Sequence, residues 1–259
     1  MRYRAIVAYD GSAYQGYQKQ RDGVPTIQGE LEKSLATILG SPITVWAAGR
    51  TDTGVHAQGQ VIAFDANWQH DPQSLLKALN AHLPDDIALQ VIGPAPDFHP
   101  RFDALSRVYR YKILIAEAPK PLFAKRAWQF QRELDFEAMQ YAAAIILGEH
   151  DFATFGQPPV GTNTVREVFV SQWSRQQQEC LWLTYTIEAT AFLKHMVRRI
   201  VGMLVEVGLA LRTVADFEAA FKSADLAQAG RLAPPYGLYL DAVRYADGFP
   251  NAESSRQTG

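Results

Sequence analysis

The chain has 259 residues, 47% of them hydrophobic, which suits one large or two moderate buried cores. Its one cysteine, Cys180, excludes a disulfide framework within the chain and any multi-cysteine metal site. The formal net charge of −2 gives no general reason to expect a nucleic-acid partner, so such a partner has to be argued from local charge.

The N-terminus, Met1-Arg2-Tyr3-Arg4-Ala5-Ile6-Val7, reads as the start of a strand from Arg2 to Tyr9. It lacks the charged start, apolar core and cleavage site of a secretory signal. No apolar run approaches the roughly 18 residues of a membrane span, so a cytoplasmic protein is expected. Residues 26–39 predict a helix, with Ile27, Leu31, Leu35 and Leu39 at four-residue spacing. Residues 43–48 and 61–65 read as strands on either side of a loop. Asp71-Pro72 opens a second helix to about His82, as a capping residue followed by proline at the first turn. Residues 87–92 form a strand, and Gly93-Pro94-Ala95-Pro96 breaks it.

A second set follows, with a domain boundary expected near residue 105. Residues 108–115 read as a strand, 136–147 as a helix, 166–173 and 181–189 as strands, 192–211 as a long helix and 238–245 as a closing strand. Two halves of the split βαβ type account for this order. The expected division is 1–105, 106–246 and a polar, disordered tail at 247–259.

The loop Gly49-Arg50-Thr51-Asp52-Thr53-Gly54-Val55-His56-Ala57 presents one carboxylate between two glycines. Glycines let the backbone bend sharply and approach a ligand, and loops at strand ends commonly carry chemistry. Asp52 is therefore a candidate nucleophile or general base. In the strand around Tyr109, alternation puts Tyr109, Tyr111 and Ile113 on one face and Val108, Arg110 and Lys112 on the other. Such an aromatic face suits stacking on an unpaired base, and it equally suits a tyrosine pair in the core. In the long helix, Leu193, Met196, Val197, Ile200, Leu204, Val207 and Leu211 form one apolar stripe, and Arg198 shares a second with Val201, Val205 and Leu209. A buried guanidinium needs a carboxylate partner, for which Asp52 is a candidate; the alternative is snorkelling along the aliphatic stem.

Seven basic and two acidic residues between Arg101 and Arg126 give a local balance of +5, and Lys194, Arg198 and Arg199 form a second basic cluster. Both patches suit phosphates, and both also read as solvated faces. Gly11 and Gly16 have P-loop spacing, but Tyr17-Gln18 follows where Lys-Ser/Thr is required. There is no HExxH pair and no nucleophile elbow, and His56 and His150 read as structural or hydrogen-bonding groups.

Several motifs agree with one family. Tyr9 to Gln18 (YDGSAYQGYQ), Gly49 to Ala57, Phe98 to Tyr111 (FHPRFDALSRVYRY), Gly148 to Phe155 (GEHDFATF), Ala191 to Gly202 (AFLKHMVRRIVG) and Gly237 to Leu240 (GLYL) stand in its order along nearly the whole chain. The chain resembles the tRNA pseudouridine synthase A (TruA) family, which isomerises uridines of the anticodon stem-loop. The resemblance implies Asp52 as nucleophile or base, Tyr111 stacking on the flipped base and Arg198 pairing with Asp52. It puts Arg50 at the loop arginine associated with the flipped nucleotide. Arg107, Arg110 and Lys194 are the further substrate-binding candidates. Tyr17 and Lys194 depart from the family's usual Trp and its aromatic or His. The implied fold is α+β: two ferredoxin-like halves whose sheets join into one central, largely antiparallel sheet flanked by helices. The implied reaction cuts ribose C1′ from uracil N1 and rejoins it to C5, so it needs no cofactor and no metal. A homodimer binding tRNA is implied as well. The rival readings are a non-catalytic RNA-binding module and a nucleoside hydrolase, which normally needs a second carboxylate about 5–10 Å from the first.

Overall fold

A computed structural model describes residues 1–21, 23–158 and 161–249. The chain divides into two compact units, Met1–Arg107 together with the chain from Tyr239 onward, and Val108–Leu238.

The first unit begins with β1 (Arg2–Tyr9), whose Tyr3, Ala5, Ile6, Val7 and Tyr9 are buried. Helix α1 (Ile27–Leu39) starts where Thr26 accepts from Gly29 N at 3.2 Å and stops at Gly40, whose φ of 71° is left-handed. Its Ile27, Leu31 and Leu35 are buried, as the four-residue spacing requires. Next come β2 (Trp46–Ala47), β3 (His56–Asp65), α2 (Pro72–His82) and β4 (Ile87–Pro94). Asp71 makes no side-chain cap to α2; Ser74 Oγ instead donates to the Asp71 carbonyl at 2.6 Å.

Strand β1 lies between β4 and β3, antiparallel to both. The other edge of β3 has two successive partners. β2 pairs antiparallel with Ala63 and Ile62, while β10 (Leu238–Tyr245), last among the described strands, pairs in parallel with His56 and Ala57. The chain leaving β2 must therefore swing away from β3, and that excursion is the Asp52 loop. The strand expected at 43–48 shrinks to two residues for a visible reason. Val45 N donates to Glu32 Oε1 at 3.2 Å and its carbonyl accepts from Gln28 Nε2 at 3.1 Å, so α1 takes the groups a ladder would use. Of the tail expected at 247–259, the part from residue 250 onward lies outside the described residues; Asp247 pairs with Arg4.

The strand β5 (Ala104–Ile115) leads into the second unit. There follow β6 (Trp128–Phe130), α3 (Phe136–Ala144), β7 (Gly148–Asp151), β8 (Val165–Gln177), β9 (Leu181–Ala189), α4 (Met196–Gly208) and α5 (Val214–Lys222). The sheet runs β5-β9-β8-β7, antiparallel across β7–β8 and β8–β9, with β6 parallel beside β5. Phe152, Phe155, Phe217 and Phe221 pack together in its core. Helix α4 is shorter than the expected 192–211: His195, with φ of 64°, turns the chain before it, and Leu211, assigned to the apolar stripe, is 71% exposed. The chain is thus an α+β protein, with largely antiparallel strands and five α-helices among the described residues. No helix among the described residues is long and apolar enough to cross a membrane.

Candidate active site

The Asp52 loop is fixed at its entry, middle and exit. At the entry, Gln60 of β3, fully buried, donates from Nε2 to the Gly49 carbonyl at 2.7 Å. In the middle, the hydroxyls of Tyr9 and Thr51 lie 2.8 Å apart, and the Thr51 carbonyl accepts from Tyr17 N at 3.0 Å. At the exit, Gly11 N donates to His56 Nδ1 at 3.1 Å, Asp10 Oδ1 lies 3.1 Å from the same nitrogen, and the ring stacks on Tyr239 at 4.7 Å. A Cβ on Gly11 would stand 2.0 Å from the Val55 carbonyl, so only glycine lets this turn rest on the loop. Within the loop Val55 N donates to the Asp52 carbonyl at 3.1 Å. On this frame the Asp52 side chain is half-buried and Arg50 is exposed. Tyr17 is buried with a hydroxyl that makes no hydrogen bond among the described residues.

Arg107 belongs to the same unit, and its guanidinium serves the main chain. It donates to the carbonyls of Arg101 at 2.7 Å, Ala48 at 3.2 Å and Ala104 at 3.3 Å. It therefore ties β5 to the residue just before the Asp52 loop.

In the second unit, Tyr111 and Arg198 meet neighbouring carbonyls of one segment. Tyr111 Oη donates to the Pro234 carbonyl at 2.8 Å, and Arg198 Nε donates to the Ala233 carbonyl at 2.8 Å. Ala233 N returns a bond to the Arg198 carbonyl at 3.1 Å. Arg198 is half-buried, whereas the Tyr111 ring is fully buried. Burial first, and then Tyr236, holds the Tyr111 phenol well above its ordinary value; Arg198 and Arg231 pull the other way. Tyr111 is therefore a neutral phenol at working pH, a ring and a donor rather than a base. Tyr109, on the same face, meets Phe192 edge-on at 5.0 Å. Arg110 is half-buried and Lys194 exposed, with the Lys194 carbonyl accepting from Arg199 Nη1 at 3.2 Å. Sequence reasoning missed the hydroxyl of Thr51, Gln60 and the 231–237 segment. The YDG motif pointed to the Tyr9–Gly11 buttress without assigning it a task.

The chain matches the family described as tRNA pseudouridine synthase over residues 5–103 and 142–246. It is 40% identical to the tRNA pseudouridine synthase A of Pseudothermotoga lettingae, covering 94% of this chain and 99% of that one. The enzyme of the same name from Neisseria meningitidis serogroup B is 39% identical, over 96% of this chain and 93% of the relative. The one from Chloroflexus aurantiacus is 41% identical, over 98% and 93%. With a match of this extent and relatives of nearly its own length, the chain belongs to the tRNA pseudouridine synthase family.

Proposed function

We infer that this protein isomerises uridine to pseudouridine on the 3′ side of the tRNA anticodon stem-loop, as a homodimer in the cytoplasm. Asp52 is the reacting carboxylate. Attack on C1′, attack on C6 and removal of a ribose proton all begin with that group ionised. Arg198 pairs with it and offsets its charge, and Arg50 stands where the flipped nucleotide enters. The base leaves its stack at a cost of about a few kcal/mol, and stacking on Tyr111 offsets part of it. Because the Tyr111 ring is fully buried, stacking requires the packing around it to open. Arg110 and Lys194 supply charge toward the phosphates, and Arg107 adds charge from a fixed position. The observation that carries the reading is the Asp52 loop: a half-exposed carboxylate on backbone held at three points, in a chain of this family.

The test uses tRNA labelled with tritium at uracil C5, which is released as C5 becomes bonded to C1′. Asp52→Ala is expected to melt like the wild type and to lose about 10²–10⁴-fold or more in release rate. Undiminished release from the folded variant would sink the assignment. Carbodiimide-dependent primer stops then map the modified uridines, and stops confined to another arm of the tRNA would refute the anticodon target.

A further inference from the structure

A pair of buried hydroxyls includes that of the residue just before Asp52 in the chain. Tyr9 is 4% exposed and Thr51, the residue before Asp52, is 7% exposed; their oxygens lie 2.8 Å apart. Tyr9 ends β1, and its register partner Ala57 lies in β3, so its hydroxyl is carried by the sheet rather than by a loop. The Tyr9 ring packs on Tyr17 at 6.3 Å, and Tyr17 N holds the Thr51 carbonyl at 3.0 Å. Thr51 is thus gripped at both its side chain and its carbonyl. The peptide to Asp52 starts from that fixed group and closes on Val55 N at 3.1 Å. Two hydroxyls buried together are costly unless bonded to each other, so the pair resists sliding apart. A displacement of about 1 Å at a reacting group costs up to roughly 10²-fold in rate.

We propose that the Tyr9–Thr51 hydroxyl pair is a positioning device that aims the Asp52 carboxylate at the flipped uridine. The inference rests on Asp52 being the reacting group. Neither residue touches the substrate; both act through the backbone of the loop.

The pair is tested with Thr51→Val and Tyr9→Phe, which each remove one hydroxyl and little volume, and Thr51→Ser, which keeps the hydroxyl. Single-turnover tritium release at saturating tRNA, tRNA affinity and melting temperature are measured for each, beside Asp52→Ala. Thr51→Val and Tyr9→Phe are expected to slow release about 10–100-fold, with affinity held within about twofold. Thr51→Ser is expected within about threefold of wild type, and the double variant no slower than the slower single, since both dismantle one device. Should Thr51→Val not fold, Tyr9→Phe carries the same comparison. Wild-type release from both, with Asp52→Ala inactive, overturns the positioning inference and leaves the proposed function standing. A rate loss matched by lost affinity, or a Thr51→Ser as slow as Thr51→Val, also overturns it. An active Asp52→Ala overturns both readings.

Discussion

Tyr17 sits one shell behind the loop and carries an unpaid polar cost. Its backbone N–H holds Thr51 and its ring packs on Tyr9, but its buried hydroxyl bonds to nothing among the described residues. A hydroxyl buried without a partner costs about 1–3 kcal/mol. Tyr17→Phe is therefore expected to raise stability by about 1 kcal/mol, with the release rate unchanged because the backbone bond to Thr51 survives. Denaturant unfolding and single-turnover release check the two halves separately; a destabilised variant would mean that the hydroxyl has found a partner in solution. At this scale the sequence was informative about type and silent about environment. The two glycines around Asp52 gave its loop. Alternation placed Tyr109 and Tyr111 on one face, but alternation is identical for a stacking face and a core face. The Tyr111 ring is buried and its hydroxyl is held by the Pro234 carbonyl, 123 residues away, a partner that alternation cannot show. Arg107 counted as charge in the sequence, yet it donates to three carbonyls.

At the level of elements, α4 and the segment beside it work as one piece. A Cβ on Gly202, in the middle of α4, would lie 1.6 Å from the Arg231 carbonyl and 3.3 Å from Ala233 N. The obstacle is backbone, so it cannot be relieved by turning a side chain. The same segment supplies the carbonyls that hold Arg198 and Tyr111. Gly202→Ala is expected to cost about 1–3 kcal/mol despite alanine's better helix propensity, and to lower release alongside. Gly208→Ala, near the end of the same helix, meets chiefly the flexible Met139 thioether and is expected to be milder. Melting curves of the pair decide; equal losses would contradict a role for the 231–237 segment. Element boundaries were legible where the local pattern settles them, as in β1, β9 and β10, which begin and end as expected. They failed where a distant partner settles them. Pairing with β10 extends β3 back to His56, and the side chains of α1 remove most of β2. Helix α5 was overlooked although Thr213 and Asp216 form a full capping box at its start. The three residues of β6 and the polar four of β7 offer too short a pattern to read.

Across the whole molecule, the order of elements announced the ferredoxin-like pattern of the first unit, but not that β10 would lie against β3, because strand partners are a tertiary choice. The cores of both units share one chemical feature that the sequence counts but cannot locate: buried tyrosines. Burial is the leading cause that raises the phenols of Tyr17, Tyr111, Tyr185 and Tyr245 above their ordinary value, with Tyr9 and Glu32 adding to Tyr17 and Ser171 opposing at Tyr185. A raised folded-state pKa means that the native protein keeps protons the unfolded chain has lost. The stability from these groups is thus fully present below the unfolded value near pH ~10 and is lost as pH climbs toward the folded value. Each such tyrosine then removes about 1.4 kcal/mol per pH unit, and four together remove about 5. Against a total of about 5–15 kcal/mol, unfolding is expected within roughly one to three pH units above pH ~10. Phenolate absorbance and circular dichroism followed together provide the check. Chain unfolded in guanidinium should ionise all eleven tyrosines around pH ~10. In the native protein these four should ionise only as the dichroism collapses, in one step. A smooth titration of all eleven near pH ~10 with the dichroism intact would mean that the tyrosines are not sealed in the two cores.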